Sequence, residues 1–393
     1  MPQNRSNLRP RLVVFGDDWG RHPSTIQHYI RGLLSYYEVD WINTIGTRRP
    51  HLTLADLWRG LEKLRSWIAP HQSVTLQAAG VVRIHSPIHW PSFHRGWERQ
   101  LNRAMLLRSL REVLKRRPTP TAVITTTAIT ADLVPAHPHL NWVYFCQDDF
   151  PAWPDLDSNT LLSMENDLLP FMRAIVVVSD QLQTRFQKIG YGSSILTAGV
   201  DLRMWSNVRR KSPSPLGMRP VATFWGSADP RLDTAICEAI ASECELVIVG
   251  PRGRVSPRLL HNPSVHWRGA VPYSKLPLIA CETDVLVMPY ASMPATLAMQ
   301  PLKMKEYLAT GLPVVATPLP ATQPWADAMD IIADPVEFAA CVVRRARAPL
   351  PASQKLARER LRDEGWEAKS QQLERILVGS AAASHSAPTE KLR

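Results

Sequence analysis

Short apolar runs return along this chain at intervals, with stretches of helical pattern between them, and that alternation limits the folds open to it. The spacing predicts strands at Leu12–Phe15, Val81–Ile84, Ala122–Thr125, Trp142–Phe145 and Ile175–Val178. A second series falls at Ala222–Trp225, Leu246–Val249, Val265–Trp267, Val285–Met288 and Val314–Ala316. Helical patterns lie between, over Ser24–Tyr37, Leu161–Phe171, Asp180–Ile189, Leu232–Cys244 and Pro301–Ala309. A strand with apolar residues on both faces belongs in a parallel sheet covered by helices. The class expected is α/β, with two doubly wound, Rossmann-like domains. The proline-rich stretch NVRRKSPSPLGMRP has no apolar period and reads as a linker. The division predicted is a first domain over 1–205, a linker over 206–220 and a second domain over 221–348. A long polar helix follows within 349–378, roughly Ala352–Leu377, and a disordered tail within 379–393. Ligands of such sheets bind beyond the carboxyl ends of the strands.

With 393 residues, 45% of them hydrophobic, the chain has enough apolar material for more than one core. No run of 18 apolar residues occurs, so no spanning helix is expected. The N-terminus lacks the pattern of a secretory signal. Five scattered cysteines, with no CxxC pair, suit reduced thiols in a cytosol. The net charge of +11 is unevenly placed. Residues 1–118 hold 19 Lys and Arg against 8 Asp and Glu, while the remainder balances. A localised basic surface attracts phosphate, in nucleic acid, lipid or a diphosphate-linked substrate.

The segment VLVMPYASMPATLAMQPLKMKEYLATGLPVVATPLP reads as strand, loop, helix, tight turn and strand. Pro301 suits the first helical position, and Gly311 the left-handed residue past the helix end. Free backbone N–H groups at such a helix start favour anions. Lys303 adds a positive charge in the first turn, and Glu306 follows on the same face, placed to accept from ribose hydroxyls. Together they predict a nucleotide-diphosphate site; the alternative is a surface Lys–Glu pair.

This segment resembles the donor-binding signature of bacterial GT-B glycosyltransferases, in which a strand ending in PY leads to a helix patterned PLK..EYLA.G.PVV. The resemblance extends to HWRGAVPYSKLPLIACETDVLVMPY, with Gly269, Val271 and Pro272 in the turn beside the base. TAGVDLRMW is similar to the family's NGVD segment, and DEGWEAKSQQLERIL to its terminal helix, which crosses back to the first domain. It implies two domains facing across a cleft, an acceptor-binding first and a nucleotide-sugar-binding second. Tyr290, Leu302 and Gly226, which follows the strand Ala222–Trp225, join Lys303 and Glu306 as implied donor contacts. Many retaining members carry a further glutamate before the one matched by Glu306; here Ala298 stands in that place. In lacking it, and in its PYAS, LK and GLP elements, the chain is similar to the xanthan-type glucuronosyltransferase and its relatives, which invert.

Inverting transfer needs a base for the acceptor hydroxyl. In NWVYFCQDDFPAW two carboxylates follow a strand, and Asp148 matches the family's base; Asp149 is the alternative, or a turn former. Asp17 and Asp18, in the loop GDDWGRHPST, can serve as base or acceptor ligand, or be solvated turn residues beside a helix capped by Ser24 or Thr25. In VGPRGR, Arg252 or Arg254 can reach phosphate, or the stretch is a solvated loop. No DxD triplet is read as gripping a metal with nucleotide phosphates, and His85, His89 and His94 are separated by prolines, so no metal and no cofactor is expected. In His94–Arg117, Arg95, Arg99 and Arg103 share one face with Trp97, Leu101 and Met105 opposite, and the faces swap beyond residue 105. Either this helix breaks near Ala104–Leu106 or its first half buries its apolar side elsewhere. Its basic face suits an anionic membrane or a lipid-linked saccharide acceptor; the alternative is a bent helix packed on the sheet with solvated arginines. The chain is thus expected to be cytoplasmic, and peripheral on the inner membrane, in surface or extracellular polysaccharide assembly. A retaining transferase, a nucleotide-sugar epimerase and a basic nucleic-acid-binding protein are the alternatives. The last lacks any helix-turn-helix, zinc or RNA-binding signature, so no nucleic acid partner is expected.

Overall fold

The computed structural model describes residues 9–20, 24–44, 72–77, 80–90, 92–153, 156–208, 215 and 217–386. It divides into two units, Met1–Leu196 with Lys369–Arg393, and Thr197–Ala368.

The first unit is built on strands β1 (Arg11–Gly16), β2 (Glu38–Asn43), β3 (Gln72–Gln77), β4 (Gly80–His85), β5 (Ala122–Thr125), β6 (Trp142–Cys146), β7 (Ala174–Val177) and β8 (Ser194–Ile195). They form one sheet in the order β3-β4-β2-β1-β5-β6-β7-β8, parallel except where β3 runs against β4. The continuous apolar runs supply its centre: every residue of β1, β5 and β6 is buried. β2 escapes a search for apolar runs because Asp40 lies in its middle. Asp40 is fully buried and accepts from Arg11 Nη2 at 2.6 Å, Arg116 Nη1 at 2.8 Å and His85 Nε2 at 3.0 Å. Arg11, also fully buried, donates further to the carbonyls of Val113, Arg116 and Pro118. Charges meet inside the sheet, and each has its counter-charge and hydrogen bonds.

The second unit holds β9 (Val221–Trp225), β10 (Glu245–Val249), β11 (Val265–Trp267), β12 (Val285–Met288), β13 (Val314–Ala316) and β14 (Asp330–Ile331). Its sheet is wholly parallel, in the order β11-β10-β9-β12-β13-β14. Consecutive strands are joined through helices, as parallel pairing requires.

Four expectations need correction. Thr197–Trp205 belongs to the second unit, not the end of the first. Val200 pairs with Gly365, and the buried Lys305 ammonium donates to Ala198 O and Glu364 Oε2, both at 2.5 Å, and to Thr197 Oγ1 at 3.2 Å. The single helix expected over Ala352–Leu377 is three pieces: a helix Ala352–Ala357, a 3-10 segment Arg358–Glu364 and a helix Trp366–Ser386. Gly365, extended at ψ 148, separates the last two. That last helix runs on into the stretch expected to be a disordered tail; Ser380 is buried and receives a hydrogen bond from Asn141. From Lys369 onward it lies in the first unit, where Ser370 Oγ donates to Tyr29 O at 3.0 Å. The polar helix Gly96–Leu114 is unbroken, since its first half buries Glu98 and Asn102 rather than an apolar stripe. Residues 209–214 and 216 of the expected linker lie outside the described residues.

Candidate functional site

In the second unit, two neighbouring strands, β9 and β10, are each followed by a glycine. β9 ends at Trp225, and Gly226 follows with φ 141. β10 ends at Val249, and Gly250 follows with φ 146. A Cβ on Gly250 would strike the Gly226 carbonyl, and one on Gly226 would strike the Lys303 ammonium. Both glycines are therefore required by close approach as well as by conformation. Pro301 sits at the N-cap with ψ 115, outside the helix, so Leu302 opens the helix Leu302–Ala309 one place later than expected. Gly311, at φ 75, ends it as expected.

Lys303 Nζ donates to Tyr290 OH at 2.7 Å and lies 3.9 Å from the centroid of the Phe224 ring. Burial, and then the nearby Arg231, hold its ammonium well below the usual lysine range. Its charge is thus poorly compensated, and an anion would satisfy it. Arg231 is bound to Asp229 through two hydrogen bonds of 2.8 and 2.7 Å. The Leu232–Tyr290 bridge and the 2.8 Å bond from Ala291 N to Arg231 O hold this loop beside the end of β12.

Glu306 lies one turn deeper and is almost wholly buried. It accepts from Tyr273 OH at 2.6 Å and Trp225 Nε1 at 3.3 Å. Burial raises its proton affinity above the ordinary range. A ribose hydroxyl would compete with those two donors. Trp205 stacks on Trp225 at 5.5 Å and meets Tyr273 edge-on, closing an aromatic wall around the carboxyl. Gly269, at φ 64, accepts from Gly250 N at 2.7 Å; Val271 is half-buried and Pro272 exposed, directly before Tyr273. Arg252 pairs through its backbone with Ala228, joining the loops after β9 and β10, and its side chain is exposed. Leu302 is half-buried. The sequence analysis missed Arg231, Tyr273, Phe224 and the two tryptophans. The signal for Arg231 was a charged pair just past the glycine that ends β9.

In the first unit, Asp17 accepts from Ser24 Oγ at 3.0 Å and Gln27 Nε2 at 3.3 Å. Burial lifts its carboxyl above the usual range despite those bonds. Ser24 stands at the N-cap of the helix Thr25–Leu33 but makes no cap bond; its hydroxyl serves Asp17 instead. Asp18 is half-buried, and its carbonyl accepts from Gln27 at 3.2 Å. At the end of β6, Asp148 and Asp149 are both half-buried. Asp149 opens the short turn Phe150–Ala152 without a side-chain cap bond. Its carboxylate lies 3.8 Å from Arg185 Nε.

The basic face is only partly open. Arg99 is tied to Asp132 by bonds of 2.9 and 2.8 Å and reaches Asp167 at 3.1 Å, and Arg103 donates to Asp132 O. Arg95 is exposed, as is Trp97, at 51%, against Trp90, at 40%. Trp97 thus faces outward rather than into a core. The three histidines have separate partners: His85 meets Asp40, His89 the Asn43 carbonyl and His94 Asp157.

The two helix-covered parallel sheets make up a GT-B glycosyltransferase fold. The sucrose-phosphate synthase of Thermosynechococcus elongatus superposes with TM-score 0.70 and 14% identity, over 95% of this chain and all of that one. Anabaena HepE, solved in complex with UDP and glucose, superposes at 0.62 and 14% identity, over 94% of this chain and 99% of that one. Residues 227–347 match the family described as Glycosyl transferases group 1, so the second unit carries a group 1 glycosyl transferase domain. A stretch of 109 residues is 37% identical to TuaH of Bacillus subtilis (strain 168), a protein provisionally assigned as a glycosyltransferase of teichuronic acid biosynthesis. The match covers 26% of this chain and spans only 28% of that relative's length.

Proposed function

We propose that this protein is a glycosyltransferase that moves a sugar from a nucleoside diphosphate sugar to an acceptor hydroxyl. The observation that carries this reading is the Lys303 ammonium, set among Tyr290, Phe224 and Gly226 inside a group 1 domain. The UDP and glucose of HepE support a UDP-sugar as donor. The acceptor oxygen attacks the anomeric carbon while the bond to the diphosphate oxygen breaks. Lys303, Arg231 and the start of the helix Leu302–Ala309 meet the charge that develops on the leaving diphosphate, with no metal required. The hydroxyl proton passes to a carboxylate at the end of β6, Asp148 by its likeness to the inverting relatives. Ala298, in place of the glutamate of many retaining members, agrees with inversion.

Lys303→Ala should weaken UDP binding about tenfold or more in calorimetry, because a charge-assisted contact contributes roughly 1.5–3 kcal/mol. Parental affinity should also fall as pH rises, and should begin to fall below the pH at which a free lysine loses its proton. Gly226→Ala should weaken binding by displacing the ammonium. Unchanged UDP affinity in Lys303→Ala would remove this site from consideration.

The acceptor reading is a lipid-linked saccharide, in surface polysaccharide assembly, at an anionic membrane surface. TuaH's assignment and the exposed Trp90, Trp97 and Arg95 support it. No helix among the described residues is long and apolar enough to cross a membrane. Co-sedimentation with anionic vesicles should fall as salt rises and fall further in the Arg95→Ala/Trp97→Ala double variant. Arg99→Ala should change it less, since Asp132 already meets that charge. A double variant that sediments like the parent at low salt would exclude this face.

A further inference from the structure

Beneath the end of β6 lies a buried cluster of charged groups that the transfer step, as proposed, does not use. Glu165, on the helix Ser158–Leu168, is 2% exposed. Arg185, on the helix Asp180–Lys188, grips it through Nη1 at 2.5 Å and Nη2 at 3.0 Å. Tyr144, inside β6, donates its hydroxyl to Glu165 Oε1 at 2.9 Å. Arg185 Nη2 also reaches Cys146 Sγ at 3.9 Å, while Arg185 Nε is buried without a hydrogen-bond partner and lies 3.8 Å from Asp149 Oδ1. That is too long for a hydrogen bond and short enough for strong charge coupling. Three elements thus bring two acids and one cation together, with Asp149 the most loosely held.

We infer that the Glu165–Arg185 ion pair is a positioning device for Asp149, setting that carboxylate's affinity for a proton from two sides. Arg185 favours the ionised form, while Glu165 opposes it, both by its own charge and by occupying the guanidinium fork. The thiol of Cys146 is coupled to Asp149, and the Tyr144 hydroxyl to Glu165. Burial pushes the Cys146 thiol up to about 12, so it stays protonated. The Tyr144 hydroxyl is held well above its usual range by burial, so it too carries no charge. Asp148 adjoins along the chain and adds a like charge when ionised. Burial outweighs Arg185, and Asp149 binds its proton more tightly than an ordinary aspartate. A carboxylate so poised is a better acceptor of the acceptor-hydroxyl proton than a solvated one. This role rests on the transferase reading for its purpose, but not for its existence.

The test is a carbon-13 NMR titration of full-length protein labelled at the aspartate carboxyl carbons. The signal lost in Asp149→Asn identifies Asp149. Glu165→Gln removes the opposing charge and leaves Arg185 for Asp149. Its midpoint should drop by about 1 pH unit or more, the effect of an opposite charge at this distance. Glu165→Gln/Arg185→Gln replaces the ion pair by two amides, with no charge left unpaired. There the midpoint should rise again, by about as much. A merely structural role would disturb both variants without moving the midpoint in opposite directions. Midpoints that stay put, or that move the same way, overturn the inference. The acid limb of the UDP-glucose turnover profile then tests the purpose separately. Midpoints that move as stated while the limb stays still would leave the positioning pair intact and remove Asp149 from the transfer step.

Discussion

Asp148→Asn should lower turnover by roughly 10²–10⁴-fold, the usual contribution of a general base. The amide nearly preserves shape and removes the proton acceptor. UDP affinity should stay near parental, because Lys303 and the helix that carries it belong to the other unit. Asp149→Asn is the informative partner. If Asp149 only shapes the turn, its loss should be the smaller. If it takes the proton, held as it is by Arg185, the loss should match that of Asp148→Asn. Asp17→Asn and Asp18→Asn are the necessary controls, since burial also lifts the half-buried Asp17 carboxyl above the usual range. Near-parental turnover in both β6 variants, with activity abolished in a first-loop variant, would move the base to the loop after β1. Normal turnover in all four, with a product that keeps the donor's anomeric configuration, would overturn the inverting mechanism.

The second large effect concerns folding. Asp40→Asn should destabilise the first unit by about 3–5 kcal/mol, because it leaves Arg11 buried with no counter-charge among its hydrogen-bond partners. For a domain of this size, that is a fall of roughly 6–20 °C in Tm by calorimetry. Burial alone would raise the Asp40 carboxyl; the bonds from His85 and Arg11, and the charge of Arg116, outweigh it and hold the carboxyl below its ordinary value. A carboxylate depressed in the folded state adds stability that is fully present above its unfolded pKa, about 3.9, and lost as pH falls through the folded one. The parent should therefore lose stability below about pH 4, and Asp40→Asn should lose less over that range. Equal acid sensitivity in the two proteins would show that this cluster does not govern acid unfolding.

Part of this molecule was legible without its structure. The apolar runs at β1, β5, β6, β9, β10, β12 and β13 announce themselves, because a strand covered on both faces has no polar position to interrupt it. Gly311 was legible for a related reason: a left-handed residue past a helix end is a local demand met by neighbouring residues. β2 was hidden because Asp40 resembles a surface residue until Arg11, His85 and Arg116 are seen around it. Arg99 and Arg103 suggested an open basic face; the structure turns both onto Asp132, about thirty residues along the chain. The same holds at the two candidate centres. Tyr273 and Trp225 close over Glu306, and Arg185 reaches from Glu165 toward Asp149, across separations no periodicity records. Apolar pattern and turn chemistry depend on adjacent residues, so the sequence alone determined the two α/β sheets and the helix that presents Lys303. Burial and charge pairing depend on which distant segments meet, so only the tertiary structure decided which acids are paired, which arginines are occupied and which carboxylates bind a proton more tightly than usual.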